Sequence, residues 1–528
     1  MDNFSRTQST RKAVIATAGG VIAAQHRRAA EVGAAVLKAG GDAVDAAVAT
    51  SFAIGVVEPW MSGVAGGGAM TLWRAGEGQA HVVNYGMRAP AELDPADYPL
   101  ARRGAQGSDL FTWAPVEGDR NVQGATAIAV PGVVAGMALA HERFGRLPWR
   151  DLLQPAVGLA REGLKADWFS GLMIASCARF LAADPDAARM FLDDGQWPIV
   201  GGWAQTLDRH LDQQTLAATL ERLADHGAAD FYTGDIARML VRDVRAKGGC
   251  LSEADLHDYR AVIEPALAIA YRGGQVWAAP GFTAGPTLQQ CLQTLSGSLT
   301  PAAGGPGPDS YVAYAKALDD AYRSRLAGVG DNDSPEAPSC TTHFCVVDRD
   351  GNMCAVTQTL LSVFGSRVVS PSTGVLMNNG IMWFDPTPGR PNSLAPGKRC
   401  LMNVCPVVGQ TAAGTQFALG ASGGRKILGA VLQLTSFLMD HGLTLEQAFH
   451  QQRIDMSGGA EVTADGSLPA AVIDALRRVF PTVTAPRTLF PYSFACPSGV
   501  LREGGLNMGC TEIMSPWGDT VAQGQAAQ

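Results

Sequence analysis

An alternating apolar and polar run from His343 to Asp348 turns through Arg349-Asp350-Gly351-Asn352 and returns as Met353 to Thr359. Asp-Gly between two alternating runs is a strong β-hairpin signal. A polar, proline-bearing segment, Asp331-Asn332-Asp333-Ser334-Pro335-Glu336-Ala337-Pro338, leads into it through Ser339-Cys340-Thr341-Thr342. A pair of threonines therefore stands at the head of a strand, directly after a loop. A cut there frees a threonine α-amine beside a threonine hydroxyl, which is a nucleophile and its base in one residue. Thr-Thr is also common at strand heads that carry no chemistry, so the pair alone decides nothing.

Composition narrows the classes. Of the 528 residues, 47% are apolar and 17% charged, enough to bury a large core and too few charges for disorder. The net charge is −8 and no Lys/Arg run occurs, which argues against a nucleic-acid partner. The first residues, Met1-Asp2-Asn3-Phe4-Ser5-Arg6, are polar, with no apolar core at signal-peptide spacing and no stretch long enough for a membrane helix. The expected location is the cytoplasm. The ten cysteines are scattered through apolar contexts without a C-x-x-C pair, which reads as reduced, buried thiols. No H-E-x-x-H or Cys/His cluster has metal spacing, and no cofactor is expected. Ser62-Gly63-Val64-Ala65-Gly66-Gly67-Gly68 lacks the Lys-Ser/Thr of a phosphate loop, so it reads as a close-packed turn before a strand at 69–73.

Residues 14–24 read as an apolar strand, 27–39 as a helix stopped by Gly40-Gly41, and 42–54 as a second, Ala-rich helix capped by Asp42. A hairpin is expected around 76–78 and an irregular loop over 99–121. From Val130-Pro131-Gly132 to about residue 262 the spacing is mainly helical. A strand over 271–279 and helices over 287–295 and 310–327 follow. Beyond Thr341 strands dominate: the hairpin, then 375–378, 405–408 and 416–419. Helices over 426–441 and 445–451 come last. Two stacked sheets with helices on both outer faces fit this order.

Thr341-Thr342-His343-Phe344 with Asp348, Gly351-Asn352 and Ala355-Val356-Thr357 resembles the γ-glutamyltransferase family. So do Val56-Val57-Glu58-Pro59 with Gly66-Gly67-Gly68, Val130-Pro131-Gly132-Val133, Phe144-Gly145-Arg146-Leu147-Pro148-Trp149, Ala395-Pro396-Gly397-Lys398-Arg399 and Ser422-Gly423-Gly424-Arg425. These landmarks fall in family order over most of the chain. The resemblance implies an α/β (α+β) fold, the four-layer αββα sandwich of N-terminal-nucleophile hydrolases. It implies self-cleavage between Cys340 and Thr341 into a large chain, 1–340, and a small chain, 341–528. The two would form one composite domain, with a dimer of such heterodimers as a further assembly.

The same resemblance assigns roles. Thr341 becomes nucleophile and, once freed, base. Thr359, at the family's position for a second threonine on the returning strand, faces Thr341 across the hairpin and orients its amine. Gly423 and Gly424 precede a helix, where backbone N–H groups make an oxyanion hole. His343 is structural in this mechanism. Asn378 and Asn379 shape the pocket wall or a turn.

The family's grip on the amino-acid end of a glutamyl substrate is not matched. Counting back from Pro90, the place of its carboxylate-binding Arg holds Gly86. Leu361 stands for an Asn, Gly380 and Trp383 for the Gln and Asp that hold the α-amine, and Met402-Asn403 for a Ser-Ser. An α-amino acid held there would lose its hydrogen bonds, at about 1–3 kcal/mol for each buried unpaired group. Leu361, Met382, Trp383 and Met402 instead suit a very small amide. Within the family the chain is most similar to oxamate amidohydrolases, which release oxalate and ammonia in bacterial purine (allantoin) nitrogen breakdown. Arg88 is then the candidate cation for the carboxylate, with Tyr85 as helper. Alternatives are a larger apolar pocket for a cephalosporin-type acyl amide, and a glutathione hydrolase (γ-glutamyltransferase).

Overall fold

A computed structural model describes residue 7 and residues 9–101, 113–200, 209–329, 341–488, 490 and 492–524. The hairpin around Asp350-Gly351 is present. Thr342–Val347 and Met353–Thr359 pair antiparallel, with Thr342 opposite Gln358 and Val347 opposite Met353. Gly351 turns the chain at φ +86°, a conformation that other residues adopt only under strain. The Asp348 carboxylate accepts from the backbone N–H groups of Asp350 and Asn352 and locks the turn.

The period-two alternation of this hairpin builds the layers. On one face Phe344, Val346, Cys354 and Val356 pack against the helices Arg27–Lys38 and Ala43–Val57. On the other, Cys345, Val347, Met353 and Ala355 meet Val408, Ala418 and Val500 of a second sheet. The first sheet runs Asp519–Ala522, Val21–Ala24, Thr342–Val347, Met353–Thr359, Gly67–Arg74, Gln79–Tyr85, Val262–Pro265. The second runs Ile15–Thr17, Leu506–Thr511, Cys496–Glu503, Gln416–Ser422, Val407–Gln410, Gly274–Ala278, Leu267–Tyr271. The helices Gly285–Ser298, Pro308–Val329 and Lys426–Met439 cover its outer face. This is the αββα sandwich, and each sheet contains strands from both sides of residue 341.

The helix Ala43–Val57 explains the Ala-rich composition. Every residue but Gly55 is buried, because sheet and outer helices enclose it on all sides. Asp42 caps it in a reciprocal box with Asp45.

Three expectations change. The run 14–24 is not one strand. Ile15–Thr17 belongs to the second sheet and Val21–Ala24 to the first, and the chain crosses between sheets at Gly20. A Cβ there would lie 2.4 Å from Leu37 Cδ1. The run 271–279 is likewise a hairpin, Leu267–Tyr271 with Gly274–Ala278, turning at Arg272 and Gly273 with positive φ. Residues 375–378 make no named strand. Backbone bonds hold this segment, from Ser370 N–H to the Val375 carbonyl and from Met377 N–H to the Val368 carbonyl around a single antiparallel bridge of Val369 with Leu376, and Asn378 Nδ2 adds bonds to the carbonyls of Ala65 and Ala129. The strands Cys496–Glu503 and Leu506–Thr511, absent from the expectations above, form a hairpin that turns at Gly504-Gly505, both at positive φ.

Candidate active site

Thr341 sits at the mouth between the two sheets, one residue before the strand Thr342–Val347. It is buried, and its hydroxyl donates to Thr359 Oγ1 at 3.4 Å. Thr359 ends the returning strand on the same face as Thr357, and its Oγ1 also accepts the Leu361 N–H at 2.8 Å. Two hydroxyls thus stand in series with a backbone donor. Leu361 reaches this position at φ +89°, a strained value for a residue with a Cβ.

His343 follows on the same face and is closed in. Its ring bonds Thr357 Oγ1 at 2.8 Å and lies 3.1 Å from Cys345 Sγ, against Gly420 of the second sheet. Burial pushes its pKa down to about 3, so it stays neutral. It joins the sheets and is no base for Thr341.

The second sheet brings the glycines. The strand Gln416–Ser422 ends directly before Gly423 and Gly424, which take φ +127° and +58°. A Cβ on Gly423 would lie 3.0 Å from Ala495 Cα. The carbonyls of Gly423 and Gly424 accept from Lys426 N and Ile427 N in the first turn of the helix Lys426–Met439. In a trans peptide the N–H opposes the preceding carbonyl, so the Gly424 N–H points away from that helix, as an oxyanion donor must. Ala495 is held in turn: its carbonyl accepts from Arg453 Nη2 at 3.1 Å, and Arg453 and Arg487 both bond the buried Glu512. Two guanidinium groups hold the Glu512 carboxylate down to about 2 against the opposing effect of burial.

Leu361, Trp383 and Met402, with Met382, belong to one buried apolar cluster that touches Thr359 through Leu361. Asn379 closes it from behind. Its Oδ1 accepts from Ser362 N, and its Nδ2 donates to Val122 O and Ser362 Oγ. Both Asn378 and Asn379 spend their amides on the wall.

Two assignments are corrected. The Arg88 side chain donates through Nε and Nη2 to the Gly397 carbonyl at 3.3 and 3.2 Å, so it serves as a clasp between segments. Tyr85 points the other way. It lies in the core beneath the helices, its ring against Gly136, on the face of the sheet opposite Thr341. A strand residue one position along would have faced the cleft. Cys340 lies outside the described residues.

Sequence reasoning missed two groups beside the nucleophile. The Thr342 hydroxyl lies within hydrogen-bond reach of the side-chain oxygens of both Gln25 and Glu58. The one signal was a lone carboxylate within the apolar run Val56-Val57-Glu58-Pro59. Gln25 had none.

Comparison with known proteins agrees with this geometry. The gamma-glutamyltranspeptidase family profile matches residues 29–340 and 334–490. The chain is 32% identical over 504 residues to Acylase ACY 1 proenzyme of Pseudomonas sp. (strain V22), covering 89% of this chain and 88% of that protein. It is 31% identical over 483 residues to glutathione hydrolase proenzyme of Pseudomonas aeruginosa, covering 83% and 82%. Among solved structures, cephalosporin acylase from Bacillus halodurans superposes with a TM-score of 0.84 at 25% identity over 99% of both chains.

Proposed function

The chain belongs to the γ-glutamyltranspeptidase family, an amide-hydrolysing family, and on that premise we propose that it is a self-processing acylase whose pocket does not require an α-amino acid. The observation that carries this reading is the apolar cluster of Leu361, Met382, Trp383 and Met402 against Thr359, with Arg88 committed to Gly397.

In the intact chain Thr341 Oγ attacks the carbonyl carbon of Cys340. The peptide C–N bond breaks, the nitrogen takes the hydroxyl proton, and an ester joins the two residues. Water then hydrolyses that ester, leaving a carboxylate on Cys340 and an α-amine on Thr341. On an amide substrate the freed amine takes the proton as Oγ attacks, and the Gly423–Gly424 backbone receives the oxyanion. The proton passes to the leaving amine, and water releases the acyl group. Thr359 holds the hydroxyl on line throughout.

The test is a comparison of kcat/KM for butyryl, glutaryl and γ-glutamyl p-nitroanilides with the processed enzyme. The acylase reading expects the first two to exceed the third by at least about a hundredfold, the loss expected for several unmatched polar groups. Preference for the γ-glutamyl compound would overturn it.

A second reading is oxamate hydrolysis to oxalate and ammonia. The closed wall of Leu361, Met382, Trp383 and Met402 favours it, since it leaves room for a small acyl group. Ammonia release from oxamate by the processed enzyme, lost in Thr341→Ala, would establish it. We place the protein in the cytoplasm as part of the same proposal. Support comes from the nine described cysteines, none of which forms a disulfide and eight of which are buried.

A further inference from the structure

A chain of hydrogen bonds joins the residue after the nucleophile to the residue before the oxyanion glycines. Thr342 Oγ1 lies 3.0 Å from Glu58 Oε2 and 3.3 Å from Gln25 Oε1. Gln25 Nε2 donates to Ser422 Oγ at 2.5 Å and to the Cys496 carbonyl at 2.9 Å. Ser422 Oγ also donates to that carbonyl at 3.4 Å. Gln25, Glu58, Thr342 and Ser422 are all buried. Gln25 follows the strand Val21–Ala24 of the first sheet, and Ser422 ends a strand of the second.

Counting protons fixes the state of this chain. Thr342 has one hydroxyl proton and two oxygen neighbours. If Glu58 is a carboxylate, it takes that proton, and the Gln25 oxygen loses the donor that this chain offers it. If Glu58 is the neutral acid, its O–H donates to Thr342, and the Thr342 hydroxyl donates onward to Gln25. Every link then has a donor and an acceptor. We propose that Glu58, held as the neutral acid, and Gln25 are positioning residues that fix Thr341 relative to Gly423–Gly424, for self-cleavage and for turnover alike.

The surroundings agree. Glu58 caps the C-terminal end of the helix Ala43–Val57, where the helix dipole disfavours a negative charge. Burial, opposed only by the Thr342 bond, pushes its pKa up to about 8. The titratable group that interacts with it is the Cys496 thiol, itself kept neutral by burial. Behind Cys496 stand Glu512, Arg453 and Arg487, which bond to one another. Above about pH 8, the carboxylate draws the Thr342 proton to itself, and Gln25 and Ser422 lose their tie to the nucleophile strand.

This inference rests on Thr341 being the self-cleaving nucleophile, so the test reads cleavage without a substrate. Full chains made by brief cell-free translation are shifted to buffers from pH 6 to pH 10, and the cut is followed on denaturing gels. Wild type is expected to lose cleavage rate above pH 8, about thirtyfold by pH 9.5, the fraction set by one titrating group. Glu58→Gln keeps a donor to Thr342 at every pH. It is expected to cleave within about threefold of wild type at pH 7 and to lack the alkaline fall. Gln25→Leu is expected to slow cleavage at all pH values by about tenfold or more, with an unchanged far-UV spectrum. An alkaline fall that persists in Glu58→Gln, or wild-type rates in Gln25→Leu, would overturn the proposal. Cleavage in a Thr341→Ala control would instead overturn the nucleophile assignment, and this inference with it.

Discussion

Thr341 Oγ1 stands 3.4 Å from Thr359 Oγ1, and that second hydroxyl is itself fixed by the Leu361 N–H at 2.8 Å. Thr359→Ala removes the contact that aims the nucleophile. The expected loss is about ten- to a hundredfold in the rate of self-cleavage and in kcat, with KM changed little. Gel kinetics and steady-state turnover check it. Thr341→Ala should give one unbroken chain, and Thr341→Ser a cut but slower one.

Gly423→Ala places a Cβ 3.0 Å from Ala495 at φ +127°. The backbone must shift, at about 1–3 kcal/mol, and the oxyanion donors shift with it. A fall in kcat of about a hundredfold or more, beside a lowered melting temperature, is the expected pair of readings.

The buried Arg453–Glu512–Arg487 cluster should respond to acid. Glu512 is held near 2, below its ordinary value of 4.5. Its contribution to stability is therefore complete above about pH 4.5 and is lost as pH falls towards 2. Glu512→Gln leaves two buried guanidinium groups unpaired, with an expected cost of about 3–5 kcal/mol at neutral pH. The difference from wild type should shrink as pH falls through this window, in melting curves recorded from pH 7 to pH 3.

Glu58 has the opposite sign. Its pKa rises from 4.5 to about 8 on folding, so its contribution is fully present below 4.5 and is lost as pH rises through 8. Glu58→Gln, which never ionises, should flatten the fall in melting temperature between pH 5 and pH 9. At the alkaline end it should be the more stable protein by an amount on the order of a few kcal/mol.

Arg88→Ala should leave KM for a carboxylate-bearing acyl amide within about twofold, because its guanidinium is engaged on Gly397. Trp383→Ala should widen the pocket and raise kcat/KM for bulkier acyl groups relative to butyryl, read from a series of p-nitroanilides.

The hairpin from Thr342 to Thr359 was legible in the sequence because its alternation, its Asp-Gly turn and its threonine pair are all local signals. The same holds for the helix from Ala43 and for Gly423–Gly424. What distance along the chain conceals is another matter. Nothing near Tyr85 says that it faces the helices; strand register decides that, and register is set by partners from other parts of the chain. Arg88 was placed by counting from Pro90, and counting does not show that the Gly397 carbonyl is waiting for it. Gln25 meets residues 317 and 397 positions away, so its role belongs to the tertiary fold alone.

The order of strands in the first sheet carries a consequence for the fate of the cut molecule. Asp519–Ala522 lies outside Val21–Ala24, and Val21–Ala24 lies between it and Thr342–Val347. The two products of a cut before Thr341 are thus plaited: Val21–Ala24 of the first is hydrogen-bonded on both sides to strands of the second, and Met353–Thr359 of the second to Gly67–Arg74 of the first. They cannot part without dismantling the sheet. Once parted, they must find one another again as two molecules. The intact chain folds at a rate independent of its concentration, whereas the processed enzyme, once denatured, would have to reassemble at a rate that rises with concentration. Maturation then acts as a ratchet: the architecture is reached while the chain is whole, and the cut removes the way back.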